Sequence, residues 1–301
     1  MPLHLNTPLL NSRPLSQLTG SQAWLKMDAL QPSGSFKIRG VGLACQRYYQ
    51  QGARRFISSS GGNAGLAVAY AGRTLGIPVT VIVPESTPIR ARELLRLEQA
   101  EVIVHGVSWQ EANQYAQSLL SATDAFIHPF DDPLLWQGHA TLVDEVVAAG
   151  VRPDAVVLSV GGGGLLSGVI TGLQRNGLPD VPVIAVETAG AASFHAAIRA
   201  GHAVEIDRIN TVATSLGAKK VCDQAVKLAG EHPVISEVVT DEEALRACRL
   251  FIDDHRVLTE PACGASLACL YQQKAVMQPY RNPLVVVCGG ATLSLEQLLN
   301  A

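Results

Sequence analysis

Residues 154–168 read Asp-Ala-Val-Val-Leu-Ser-Val-Gly-Gly-Gly-Gly-Leu-Leu-Ser-Gly. The first seven form a short β-branched, apolar run, as a strand buried on both faces requires. Gly161, Gly162, Gly163 and Gly164 then make a turn, and Leu165 opens an apolar helical pattern. A strand that feeds a helix through a glycine turn is half of a βαβ unit. A membrane span competes with this reading, because residues 155–174 carry no charge and are about as long as a spanning helix. Four glycines in its middle would break a lipid-exposed helix, so strand, turn and helix is the better reading.

The same alternation repeats on both sides. Strands are expected at 55–59, 78–83, 101–104, 182–186 and 283–288, and helices at 63–76, 88–99, 108–122, 164–175 and 190–200. This predicts an α/β fold with open, twisted, mainly parallel sheets flanked by helices. The pattern falls into two blocks. Residues 34–131 form the smaller domain. Residues 132–301, joined by the Pro- and Asn-punctuated residues 1–33, form the larger. The turn-rich stretch 128–133, His-Pro-Phe-Asp-Asp-Pro, marks the crossing. With the last expected helix at the end of these residues, no appended regulatory domain is expected.

Composition narrows the function. The 301 residues are 48% hydrophobic and 16% charged, which supports a packed core and argues against disorder. A net charge of -3 and 5% aromatic residues argue against nucleic acid or an anionic membrane as the partner. The N-terminus lacks a signal peptide's apolar segment and cleavage site. Cys45, Cys222, Cys248, Cys263, Cys269 and Cys288 form no CxxC pair, which argues against zinc. A reducing cytoplasm is the expected setting.

Four places carry candidate chemistry. Lys37, in Ser33-Gly-Ser-Phe-Lys-Ile-Arg-Gly40, is one of few lysines and sits between Phe36 and Ile38. It reads either as a solvated first-turn lysine or as a partly buried amine able to form a Schiff base. Ser60-Gly61-Gly62-Asn63-Ala64 follows a strand and opens a helix, where free N–H groups favour an anion such as a carboxylate. A plain helix cap explains that loop equally well. Gly161–Gly164 suits a phosphate. A dinucleotide turn competes there, with Gly162, Gly164 and Ser167 at fingerprint spacing and Glu187 ending the next strand. Cys288 ends the apolar strand at 283–288, where α/β sheets place ligands, or is simply a buried thiol. His128, His139 and His195 read as hydrogen-bonded structural histidines.

Taken together, SGSFKIRG, SSSGGNAG, SVGGGGLLSG, EPACGASLA and VVVCGG resemble the motifs of the fold type II pyridoxal-phosphate enzymes. The resemblance is specifically to the catabolic L-serine/L-threonine dehydratases, over nearly the whole chain. It implies a tryptophan synthase β-like fold. It implies that Lys37 carries pyridoxal 5'-phosphate as a Schiff base and that Phe36 stacks on the ring. Asn63 would bond the ring's 3′ oxygen, Gly161 to Leu165 the phosphate, and Cys288 would face the pyridine nitrogen. Ser60, Gly61, Gly62, Asn63 and Ala64 would hold the substrate carboxylate. A monovalent cation such as K+ would sit at Glu187, Ala191, Leu216 and Ala218. The activity implied is deaminating dehydration of L-serine to pyruvate and ammonia, and of L-threonine to 2-oxobutanoate, by a cytoplasmic homodimer. Serine racemases and biosynthetic threonine dehydratases usually carry His after the loop's Asn, and here Ala64 stands there. Gly61 stands where liver-type dehydratases carry Ala, as it does in the serine dehydratase-like branch. Another fold type II activity, such as serine racemase or a different β-eliminating lyase, and a non-enzymatic ligand-binding protein that kept the fold are the alternatives.

Overall fold

A computed structural model describes residues 1–301. In chain order the strands are β1 (Leu9–Asn11), β2 (Trp24–Lys26), β3 (Arg55–Ser58), β4 (Val79–Val83), β5 (Glu101–Val104), β6 (Asp124–Phe126), β7 (Ala155–Ser159), β8 (Val183–Thr188), β9 (Val234–Val239) and β10 (Pro283–Val286). One sheet runs β1-β2-β10-β7-β8-β9, and the other β5-β4-β3-β6. Only the β1–β2 pair is antiparallel. β4, β7, β8 and β10 are buried at every position, because helices cover both faces of a parallel sheet. β5 lies at a sheet edge and is partly exposed throughout. Residues 155–174 become β7, the glycine turn and a helix, and no helix is long and apolar enough to cross a membrane.

The helices are α1 (Arg13–Thr19), α2 (Lys37–Gln50), α3 (Asn63–Leu75), α4 (Ile89–Leu97), α5 (Trp109–Ser118), α6 (Pro133–Ala148), α7 (Gly164–Arg175), α8 (Ser193–Ala200), α9 (Asp223–Glu231), α10 (Asp241–His255), α11 (Pro261–Tyr271) and α12 (Leu295–Asn300). Two departures from expectation stand out. The segment expected as a helix from 190 begins with a 3-10 turn, Ala189–Ala191, and the α-helix starts at Ser193. The N-terminal residues do more than pack on the second block, since β1 and β2 extend its sheet beside β10.

The helix stack α2–α6–α7 positions the site. It is drawn tight by small residues. A Cβ on Gly40 would fall 2.6 Å from the Leu135 carbonyl, one on Gly138 2.3 Å from the Arg39 carbonyl, and one on Gly172 2.8 Å from the Ala140 carbonyl. Three backbones thus approach as closely as packing permits.

A buried ion network fastens the start of α2. Arg39, fully buried, donates through Nε and Nη2 to Asp28 at 2.7 and 2.8 Å and through Nη1 and Nη2 to Glu145 at 2.7 and 2.8 Å. Lys26 Nζ joins Glu145 at 2.6 Å and the Thr7 carbonyl at 2.6 Å. Such bidentate geometry is what lets a guanidinium sit without water. It ties the N-terminal strand, α2 and α6 together two residues beyond Lys37.

Candidate active site

Lys37 begins α2, and the residues before it are zipped to the end of the β10 strand. Phe36 N–H donates to the Cys288 carbonyl at 3.0 Å, and Gly290 N–H to the Gly34 carbonyl at 2.9 Å. Ser35 and Gly289 form a bridge between them. Gly289 has φ +103°, and a Cβ there would sit 2.4 Å from the Gly34 carbonyl oxygen. Only glycine fits both the left-handed backbone and the close approach.

Lys37 as a residue keeps some solvent contact, but its Nζ turns inward and donates to the Pro129 carbonyl at 2.7 Å. Desolvation pushes its pKa down to about 8, against the pull of nearby acidic groups including Glu260. The amine lies 5.1 Å from the centroid of the Phe36 ring, which in turn packs 4.9 Å from the His139 ring. His139 departs from expectation. It is fully buried between Gly40 and Gly168, and neither ring nitrogen has a hydrogen-bond partner. Burial holds its pKa well below the usual range, so it is a neutral packing group.

Asn63, the first residue of α3, is fixed at both ends of its amide. Its Nδ2 donates to Glu260 Oε1 at 2.7 Å and to Ser215 Oγ at 3.3 Å, and its Oδ1 accepts from Ala291 N–H at 3.0 Å. Glu260 is the N-cap residue of α11, and burial pushes its carboxyl up to about 7, opposed by bonds from Ser215 and Asn63 and by Lys37. In the loop before Asn63, Gly62 N–H reaches Ser60 Oγ at 3.4 Å, and Gly61 N–H donates to no group in the chain. The N–H groups of Asn63 and Ala64 belong to the first turn, which helix geometry leaves unpaired. A Cβ on Gly61 would lie 2.7 Å from Thr87 Cγ2.

The N–H groups of Gly161, Gly162 and Gly163 also donate to nothing in the chain, and the first turn of α7 continues the array. Gly163 caps α7 at φ +89°. A Cβ on Gly162 would meet the Phe130 ring at 2.2 Å and one on Gly164 the Phe130 carbonyl at 2.7 Å, whereas one on Gly163 would meet Ala225 at 2.6 Å.

Cys288 is buried, and its thiol is pushed well above the usual range by contact with the Cys263 thiol and by desolvation. Glu187 is fully buried, yet both its oxygens are engaged, accepting from Phe194 N–H at 2.8 Å and His195 N–H at 2.7 Å. Burial raises its pKa to about 7 against those two bonds. It therefore caps α8. Ala191 is buried in the adjoining 3-10 turn, and the Leu216 carbonyl accepts from Ala218 N–H at 2.8 Å. No hydrogen bond joins Glu187 to Ala191, Leu216 or Ala218.

Lys37, Phe36, Asn63 and Cys288 thus converge, with two glycine-bearing N–H arrays beside them. No sequence pattern marks a role for Glu260, Ser215, Pro129 or Phe130. A lone acid ahead of Pro261 in an otherwise apolar run was the available signal for Glu260. A backbone carbonyl such as that of Pro129 leaves none.

Residues 1–289 match the family described as pyridoxal-phosphate dependent enzyme. A human protein named L-serine dehydratase/L-threonine deaminase is 49% identical over 308 residues, covering 99% of this chain and 94% of its own. A mouse protein named serine dehydratase-like is 47% identical over 308 residues, covering 99% and 93%. The crystal structure of a fungal L-serine ammonia-lyase from Rhizomucor miehei superposes with a TM-score of 0.94 at 38% identity, covering 100% of this chain and 98% of the other. With the sheet order and the convergence around Lys37, these matches settle the family: the chain is a member of the pyridoxal-phosphate dependent enzymes.

Proposed function

We propose that this protein is an L-serine/L-threonine dehydratase, converting L-serine to pyruvate and ammonia and L-threonine to 2-oxobutanoate and ammonia. The observation that carries the reading is the Lys37 amine, desolvated to a pKa of about 8 beside Asn63, Glu260 and Cys288, in a chain 49% identical to a protein of that name.

The residues fit pyridoxal phosphate on their own chemistry. A partly neutral amine suits an aldehyde. The unpaired N–H groups at Gly161–Gly163 suit a phosphate. Bulk at Gly162 would displace Phe130 and distort that array. Lys37 would hold the cofactor covalently as a Schiff base, Phe36 would pack against its ring, Asn63 would bond the ring oxygen, and Gly161–Leu165 would hold its phosphate. When bound, the cofactor supplies the ring that delocalises the electron pair of a broken Cα–H bond.

The chain's own groups do the rest. N–H groups of Gly61, Gly62, Asn63 and Ala64, with the Ser60 hydroxyl, hold the substrate carboxylate and so fix the direction of its Cα–H bond. The Lys37 amine, held at the site by its bond to the Pro129 carbonyl, would be the group that accepts the α-proton. Cys288, its thiol pKa raised by the Cys263 contact and burial, would offer a bound pyridine ring no negative charge. A ring without that charge would be a weaker electron sink, which would favour loss of the β-hydroxyl over transamination. The released enamine takes up water and yields the keto acid and ammonia.

We further propose residues 1–33 with 132–301 as the large domain and 34–131 as the small one, in keeping with separate apolar clusters around the two sheets. A cytoplasmic setting accords with six free cysteines, and a homodimer is proposed by analogy with the dehydratases alone. A monovalent cation at Glu187 with the carbonyls of Ala191, Leu216 and Ala218 is proposed as a support of the site, read by comparing activity in potassium and in sodium buffers.

The test is product analysis. Purified protein given L-serine should release pyruvate and ammonia in equal amounts. D-serine as the main product would move the assignment to a racemase, and no turnover of either amino acid would remove the dehydratase reading.

A further inference from the structure

The turn between β6 and α6, His128-Pro129-Phe130-Asp131, has no part in the chemistry above, yet it touches the site from two sides. The Pro129 carbonyl accepts from Lys37 Nζ at 2.7 Å. The Phe130 ring backs the glycine turn, where a Cβ on Gly162 would lie 2.2 Å from it, and the Phe130 carbonyl lies 2.7 Å from a Cβ placed on Gly164. One turn of four residues therefore contacts both the amine and the N–H array.

His128 holds that turn in shape. Its Nδ1 accepts from Phe130 N–H at 3.2 Å and from Asp131 N–H at 2.7 Å. Its ring stands edge-on to Phe130, with centroids 4.7 Å apart. Trp136 Nε1–H adds a bond to the Phe130 carbonyl at 3.0 Å. Asp132 closes the far end, accepting from Leu134 N–H at 2.7 Å and from the Tyr48 hydroxyl at 2.6 Å. Burial and the Lys37 charge push the His128 pKa down to about 4, so the imidazole is neutral, and acceptance at Nδ1 puts its proton on Nε2.

We propose that His128 is a positioning residue, whose ring fixes the turn that sets the Pro129 carbonyl behind the Lys37 amine and the Phe130 ring against the glycine turn. The inference rests on the reading of Lys37 and Gly161–Gly164 as anchors of the cofactor. Without the ring the two N–H groups lose their acceptor, the turn relaxes, and both anchors loosen together. Asparagine at this position offers a side-chain oxygen to the same i+2 and i+3 N–H groups, as in an Asx turn. Alanine does not.

The experiment follows cofactor release from purified holoenzyme, read as loss of visible absorption on dialysis, for wild type, His128→Ala and His128→Asn, with thermal unfolding alongside. Two lost hydrogen bonds predict release about tenfold faster in His128→Ala. His128→Asn should stay within about threefold of wild type, with an unfolding midpoint close to that of the alanine variant. Release unchanged in His128→Ala, or equally fast in both variants, overturns the role. Should His128→Ala fail to accumulate as folded protein, His128→Phe is read instead, since it keeps a ring beside Phe130 but offers the Phe130 and Asp131 N–H groups no acceptor. Release about tenfold faster is then expected, and unchanged release overturns the role. Wild type and Lys37→Ala serve as the control. A wild-type band that does not depend on Lys37 overturns the anchor reading and this inference with it. A Lys37-dependent band with unchanged release overturns this inference alone.

Discussion

The backbone N–H of Phe36 donates to the carbonyl of Cys288 at 3.0 Å. The residue before the amine and the residue bearing the thiol are thereby held in one register, although 252 positions separate them in the sequence. Gly289 makes the approach possible through φ +103° and the absence of a Cβ. Gly289→Ala should cost about 2 kcal/mol or more in urea unfolding and should weaken cofactor retention. Unchanged unfolding would show that the zipper is not what fixes the register.

Arg39 is expected to be the residue of α2 least tolerant of change. Arg39→Met leaves Asp28 and part of Glu145 without their partner in a buried setting. Breaking such a pair costs about 3–5 kcal/mol. Replacing both Arg39 and Asp28 by apolar residues should recover part of that loss, because no unpaired charge then remains at position 28. Chemical denaturation of the single and double variants reads both numbers.

Gly61 and Gly162 should differ. The atom that a Cβ on Gly61 would meet is the methyl of Thr87, the movable end of a side chain, at 2.7 Å. Gly61→Ala should change stability by less than about 1 kcal/mol and act mainly on KM for serine. Gly162→Ala would drive into the Phe130 ring. It should lose about 2 kcal/mol or more together with cofactor binding. Denaturation and titration of cofactor into each variant separate the two cases.

In the cofactor-free protein, stability depends on pH through Lys37 with a definite sign. Its pKa falls from 10.5 to about 8 on folding. Between those values the unfolded chain binds a proton that the folded chain has released, so stability rises with pH there. Glu187 and Glu260, raised from 4.5 to about 7, act oppositely, and their contribution falls as pH climbs between 4.5 and 7. Comparing wild type with Lys37→Met isolates the lysine. Wild type should gain on the variant from pH 8 to 10.5, and a constant difference would contradict a desolvated amine.

The sequence was most legible where sheets are buried on both faces. β4, β7, β8 and β10 are apolar, largely β-branched runs, and the glycine turn after β7 announces the helix that follows it. β1, β2 and β6 are three residues long, too short for any periodicity to show. β9 is an edge strand of mixed polarity, Val-Ile-Ser-Glu-Val-Val. Lys37, Asn63 and the glycine turn stood out because their residue types are unusual for their surroundings. The partners that make them work did not. Glu260 reaches Asn63 across 197 residues, and Pro129 reaches Lys37 through a carbonyl that every residue possesses.

The central claim is tested most directly by the visible absorption spectrum of purified protein before and after L-serine, with Lys37→Ala alongside and pyruvate measured in the same cuvette. A yellow band present in wild type and lost in the variant, with pyruvate appearing only in wild type, is the predicted result. No Lys37-dependent band after incubation with pyridoxal phosphate, or such a band with no pyruvate from serine, would contradict it.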